Sequence, residues 1–322
     1  VIDTAVRATG IGGTDVAALV GVHPNKTAFD VYREKTGLDK AIERTENERM
    51  WAGKRLEKVI AEMYTERTGN AHEWADVTLP GRRPHQVFTP DAVIGLMCDD
   101  PTLALLDCKN VAWDQAYKWG EDGSADVPDH IALQMQWYLD ADNERQFADI
   151  AAFFGGHELR VYRILPDREI QESLYVIAER FWREHVLAGV APNIEYSDAT
   201  AEWIRRRFPR GNGNMREATI EEFAIIEQFR DVHTEAAKAK KLKDTWALRV
   251  KNLIGEYDGL TVEGKPLVTN RQAKDSQETD WKSVSLGLKV LVDPAQWEAI
   301  IAIQTRTKTG SRRLLLKGEK DG

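Results

Sequence analysis

The sequence predicts an α/β protein, a layered domain of sheet and helices followed by a helix-led extension. Three observations support this. Helical and β-periodic stretches alternate through residue 190. Two apolar strands, near 91–97 and 102–109, flank the turn-forming run Cys98-Asp99-Asp100-Pro101. After Pro192 the alternation gives way to one long helix with a coiled-coil spacing. The chain therefore divides into a core, residues 1–195, and an extension, residues 196–322.

Each element has a local cause. Residues 14–20 and 27–37 read as short helices opened by Thr14 and Thr27, the second closed by Gly37. Residues 50–69 form a stronger helix stopped by Gly69. Asp129 is placed to cap the helix HIALQMQWYLDA, strands are expected near 147–154 and 157–164, and Asp167 precedes a helix over 168–189. Thr219 and Glu222 make a capping-box pattern ahead of a helix reaching about residue 254. Its apolar positions Ile225, Phe229, Val232, Ala236 and Ala239 step by 4, 3, 4, 3. The segments GLTVEGKPLVTNR and SRRLLLK read as short strands around a small helix.

Composition narrows the function classes. Of 322 residues, 42% are hydrophobic and 30% charged, ordinary for a globular protein. There is no apolar run of membrane length and no signal-peptide layout, so a cytoplasmic protein without a membrane partner is expected. Cys98 and Cys108, the only cysteines, are too few for an iron–sulfur cluster or an all-cysteine zinc site, so any metal would be held by oxygen. The net charge of −8 is uneven: residues 1–194 carry −11 and residues 195–322 carry +3, with basic runs at 205–216 and 311–317.

The chemistry concentrates in four residues. Pro-Asp occurs at Asp91, Asp129 and Asp167, and Asp/Glu-x-Lys at 107–109, 263–265 and 280–282. Asp129 and Asp167 are accounted for as helix caps, and Glu263-Gly264-Lys265 as a turn. Only Asp91 and Asp107 lie on two apolar strands joined by a tight turn. Period two puts Asp107 and Lys109 on one face, and Asp91 joins them only if the connection is odd in length or bulged. Carboxylates so gathered repel unless a divalent cation neutralises them, and hard oxygen ligands favour Mg²⁺ or Mn²⁺. Asp99 and Asp100 are rival ligands whose setting is ordinary turn chemistry. Glu57 shares its helix face with Ile60, Ala61 and Tyr64, so its carboxylate points toward the core.

With Glu57, Asp91, Asp107 and Lys109 in this order, residues 5 to about 190 resemble the PD-(D/E)xK nuclease superfamily, and within it the YqaJ-type and lambda-type phage recombination exonucleases. RATGIGGTD (7–15), WAGKRLE (51–57), FTPDA (88–92), LLDCKN (105–110) and LQMQWYL (133–139) follow the order of the family's motifs. The chain departs from the pattern at Ala92, at Asp107 in place of glutamate, and at Ile131. The resemblance implies a restriction-endonuclease-like core, a central mixed sheet flanked by helices. It implies Asp91, Asp107 and the Cys108 carbonyl as ligands for two Mg²⁺ ions (Mn²⁺ able to substitute), with Glu57 joining directly or through water and Lys109 attending the nucleophilic water. Arg7, Thr14, Thr89 and Gln134 would form a pocket for a 5′-phosphate.

The activity implied is a 5′→3′ exonuclease on one strand of linear double-stranded DNA, in a phage or prophage protein of a bacterial host. The implied partners are DNA ends, a single-strand annealing protein of the RecT or Red-beta kind, and further copies of the chain in a trimeric ring. A PD-(D/E)xK endonuclease and a non-catalytic DNA-end-binding protein of the same fold are the competing readings.

Overall fold

The structure, a computed structural model, describes residues 4–38, 48–75, 77–95, 104–271 and 279–305. The expected turn with Cys98, Asp99 and Asp100 and the segment 311–317 lie outside the described residues. Two compact units, Val1–Arg207 and Phe208–Gly322, make up the chain.

The first unit begins with α1 (Thr4–Ala8), α2 (Gly13–Leu19), α3 (Ala28–Thr36) and α4 (Glu48–Thr68). It continues through β1 (Ala71–Trp74), β2 (Leu79–Pro80), β3 (Val87–Phe88), β4 (Ala92–Gly95) and β5 (Ala104–Val111). A 3₁₀ turn (Trp113–Lys118) leads to α5 (Asp129–Ala141), then β6 (Phe147–Phe154), β7 (Glu158–Ile164), α6 (Arg168–Phe181) and α7 (Asp198–Arg207). The sheet runs β1-β4-β5-β6-β7, with β5 and β6 parallel and its other pairs antiparallel. The expected central mixed sheet with flanking helices is present.

Alternation along the strands divides the core in two. On one face Ile60, Ala61 and Tyr64 of α4 pack on Ile94, Leu106 and Cys108. On the other, Val16, Ile131, Met135 and Leu139 of α2 and α5 meet Leu105 and Ile150. The Trp137 indole N–H donates to the Ile11 and Val87 carbonyls, fastening the N-terminal segment to β3.

Local punctuation explains where helices stop and start. Gly37 and Gly69 follow α3 and α4 in the left-handed region that glycine enters freely, and Asp167 accepts from the Glu169 and Ile170 N–H groups. Two expected caps are corrected. Gly12, not Thr14, is the N-cap of α2: its backbone is extended and its N–H donates to the Asp15 carboxylate at 3.0 Å, leaving Thr14 inside the first turn. Asp129 occupies the first helical position of α5, and Pro128, which makes no side-chain cap hydrogen bond, is its N-cap.

The division at residue 207 rather than 195 has a physical basis. Asp30 of α3 accepts from Ser197 Oγ and Thr200 Oγ1, each at 2.8 Å, and from Thr27 N at 2.9 Å, and it pairs with Arg33. Trp203 of α7 adds an edge contact to Phe29. Helix α7 is thereby tied to the core.

The second unit contains α8 (Ile220–Ile254), β8 (Gly259–Val262), β9 (Lys265–Thr269), α9 (Trp281–Leu291) and α10 (Pro294–Gln304). Thr219 and Glu222 form the expected capping box, and Glu263-Gly264 turn the β8–β9 hairpin with both φ angles positive. Asp280 and Asp293 cap α9 and α10, so among the described residues two helices rather than one small helix follow the hairpin.

Removing the Asp30 carboxylate deletes its buried ion pair with Arg33 and the acceptor shared by Ser197 and Thr200, at an expected cost of about 3–5 kcal/mol. Limited trypsin digestion should then cut Asp30→Ala at Arg205 to Arg207 faster than wild type; unchanged cutting would show that α7 does not depend on this clasp.

Candidate active site

The site grows from the register of β4 and β5. Ala92 pairs with Leu106, Val93 with Leu105 and Ile94 with Ala104. Continued by one residue, this places Asp91 opposite Asp107. Residues 95–103, an odd number, separate the last paired residues, so the odd connection anticipated from the sequence is the one found, with no bulge among the paired positions. Since Ala92 belongs to the α4-side core and Leu105 to the opposite core, Asp91, Asp107 and Lys109 share the face toward α2 and α5.

The two carboxylates are held differently. Asp91 Oδ2 accepts the Cys108 backbone N–H at 2.7 Å. Asp107 is buried; its Oδ1 receives the Gln134 amide at 3.3 Å, and its Oδ2 contacts the Lys109 ammonium without any hydrogen bond of acceptable geometry. Burial first, and then the charge of Asp107, push the Asp91 carboxyl up to about 8, against the opposing pull of Lys109 and the Cys108 N–H. Glu57 adds a smaller push in the same direction. Burial opposes charge on Lys109, but Asp107 and Asp91 outweigh it and hold the ammonium protonated well above its usual range.

Glu57 is half-buried on α4, one turn before the buried Ile60 and Ala61, as its helix position required. The neighbouring Arg55 turns away and lies over the Trp51 ring at 4.0 Å. Among the described residues, no three His, Cys, Asp or Glu side chains converge closely enough to form a ready-made metal cage. Asp91 and Asp107 are brought together, with Lys109 paired to Asp107 and Gln134 of α5 donating to the same carboxylate.

The residues expected for a phosphate pocket divide. Gln134 lies in the site, donating to Asp107 and to the Tyr138 hydroxyl at 3.0 Å. The start of α2 reaches the same place: a Cβ built on Gly13 would stand 2.7 Å from Gln134 Cγ and 2.8 Å from Tyr138 Cε1, so only glycine allows this approach. Thr14 follows directly, half-buried. Arg7 is half-buried, with its carbonyl accepting from Lys35 Nζ and its charge felt at Asp15. The Thr89 hydroxyl is instead engaged with that of Thr78 at 3.0 Å.

Several site neighbours escaped the sequence reading. Asp15 is buried between Lys26 at 2.5 Å and Lys35 at 2.6 Å; burial would raise its pKa, but these lysines and Arg7 hold it well below the carboxylate range. His130, one turn before Gln134, meets the edge of His23 at 5.6 Å. Burial first, and then Lys109 and Lys118, lower its pKa, while burial and His130 bring His23 to about 4. Burial and Asp107 raise the pKa of Tyr138 and so keep its phenol neutral. The four-residue step from His130 to Gln134 to Tyr138 was the available signal, since it sets all three on one face of α5.

Residues 4–142 match the YqaJ-like viral recombinase domain. A Bacillus subtilis (strain 168) protein named Uncharacterized protein YqaJ is 26% identical over 275 residues, spanning 82% of this chain and 83% of its own. Among solved structures, the alkaline exonuclease LHK-Exo from Laribacter hongkongensis superposes with a TM-score of 0.45 and 16% identity, over 63% of this chain and 95% of its own. A phage related exonuclease from Haemophilus somnus 129PT gives 0.39 and 13%, over 56% and 96%. No helix among the described residues is long and apolar enough to cross a membrane. Residues 4–142, the stretch similar to the YqaJ-like viral recombinase domain, hold every site residue discussed above.

Proposed function

We propose that the chain is a Mg²⁺-dependent exonuclease that degrades one strand of linear double-stranded DNA from its 5′ end. The 3′ overhangs left behind would serve recombination by single-strand annealing. The observation that carries this reading is the opposed Asp91–Asp107 pair with Lys109 at its side, within a recombinase-type domain.

The residues fit a hard divalent cation. Their donors are oxygens, Asp107 Oδ2 is buried without a hydrogen bond, and Asp91 resists ionisation first because it is buried and then because Asp107 stands opposite. Asp91, Asp107 and the Cys108 carbonyl would hold Mg²⁺ or Mn²⁺, with Glu57 directly or through water. A bound ion supplies charge stabilisation at the phosphate and a more acidic water. The residues then divide the remaining work. Lys109, kept cationic by its two neighbours, orients the attacking water and faces developing negative charge rather than removing a proton. Gln134 holds Asp107 in place from α5.

Arg7, Thr14, Gln134 and Thr89 are assigned to the 5′-phosphate. Arg7 offers a planar fork for two phosphate oxygens, and Thr14 directly follows Gly13, which packs against Gln134. Thr89 would have to release Thr78 to take part. By resemblance, the working assembly is a ring of three copies that delivers its product to an annealing protein.

The deciding experiment is digestion of a linear duplex labelled separately at each end, with and without Mg²⁺. Loss of the 5′ label first, only with metal, is expected; cutting of a covalently closed circle would instead establish an endonuclease. Asp107→Ala and Lys109→Ala should lower cleavage at least about 10²-fold while DNA binding persists. Arg7→Ala should lose about 10- to 100-fold of the preference for a phosphorylated 5′ end, the worth of one charged hydrogen bond.

Metal affinity should also appear in stability. The folded chain keeps the Asp91 proton up to about pH 8, whereas the unfolded chain releases it near 3.8. Between these values the folded state binds the extra proton, so this group's contribution to stability falls as pH rises. In EDTA, the melting temperature of wild type relative to Asp91→Asn should therefore decline from about pH 4 to pH 8, and Mg²⁺ should reverse the decline. A pH-independent difference would count against the opposed-carboxylate site.

A further inference from the structure

Helix α8 is 35 residues long, about 52 Å. Among its described side chains only Ile254 is buried. Ile225, Phe229, Val232 and Trp246 are 40–67% exposed. The seam that opens at Ile225 continues in the same 4, 3 rhythm through Lys243, Trp246, Val250 and Leu253. An apolar stripe of this length is stable in water only when another surface covers it.

The charges on the helix indicate what that surface is. Residues 220–236 carry five acidic side chains and one basic, whereas residues 237–254 carry one acidic and six basic. The helix macrodipole favours this polarity only within the first and last turns, yet Asp231, Glu235, Lys238, Lys240, Lys241 and Lys243 all lie deep inside. Internal pairing is local: Glu227 bonds Arg230 and Glu235 bonds Lys238, both across the exposed surface. The two halves therefore keep opposite net charge.

We infer that α8 pairs antiparallel with α8 of a second copy of this chain, burying the seam and setting each acidic half against the partner's basic half. In an antiparallel pair Phe229 faces Trp246 and Val232 faces Lys243, while Ala236 and Ala239 meet at the centre, where small side chains let the backbones approach closely. The arrangement is isologous: the same patch serves both partners, as two-fold symmetry requires. A parallel pair or a three-fold bundle would instead stack like-charged halves along half the helix length, which is repulsive.

This pairing does not depend on how the nuclease units assemble. It doubles whatever assembly they form, so its failure and the failure of the exonuclease reading are separable. The test uses two full-length variants. Glu227→Lys with Asp231→Lys and Glu235→Lys makes the whole helix basic; Lys240→Glu with Lys241→Glu and Lys243→Glu makes it acidic. Light scattering after size exclusion should give each variant half the wild-type mass, and mixing the two should restore the wild-type mass. Circular dichroism checks that both keep their helix. Three equal masses, or a halved mass that mixing does not restore, overturn the pairing. Loss of DNA binding in the acidic variant alone, with masses unchanged, would assign the basic half to phosphate contact instead.

Discussion

Two carboxylates facing each other across neighbouring strands are the constraint around which the first unit is arranged. Register alone puts Asp91 and Asp107 together, and their repulsion has to be offset within the fold. The offsets come from three directions: the Cys108 N–H from the strand itself, the Lys109 ammonium from two residues on, and the Gln134 amide from α5. None removes the conflict, since burial and Asp107 together still hold the Asp91 proton far above its ordinary range.

The other buried acids show that this conflict is specific to the site. Asp149 is bound by both nitrogen arms of Arg163 at 2.8 Å and by the Tyr64 hydroxyl at 2.7 Å. Asp140 has Arg82, Arg83 and Gln86, and Asp15 has two lysines. Each of these is a closed account of charge and hydrogen bonds, of the kind that supports a fold. At Asp91 and Asp107 like charge instead meets like charge, and burial with that charge keeps the Asp91 carboxyl raised.

Local signals were legible in the sequence. Period two placed Asp107 and Lys109 together, Gly37 and Gly69 ended their helices, Asp167 and Thr219 began theirs, and strand 147–154 has those limits in the structure. What the sequence concealed depends on partners distant along the chain. Ser197 and Thr200 look like ordinary loop residues until Asp30 is found beneath them, so the core ends at 207 rather than 195. The cap of α2 was misplaced for a related reason. Asp15, buried by Lys26 and Lys35, captures the Gly12 N–H and so starts the helix before Thr14. The Gln134–Asp107 contact needed the packing of α5 over the sheet, which no spacing rule supplies.

Strand β5 carries both structure and chemistry on alternate residues, with Leu106 and Cys108 turned to one core and Leu105, Asp107 and Lys109 to the other side. Inserting or deleting one residue here would do more than lengthen or shorten a strand. It would rotate the acid and the lysine into the oily layer beneath α4 and bring leucine out to the face toward α2 and α5. Descendants of this chain are thus free to vary in the loops around β5 but are bound to keep its residue count, because its parity decides which face carries the acid and the lysine.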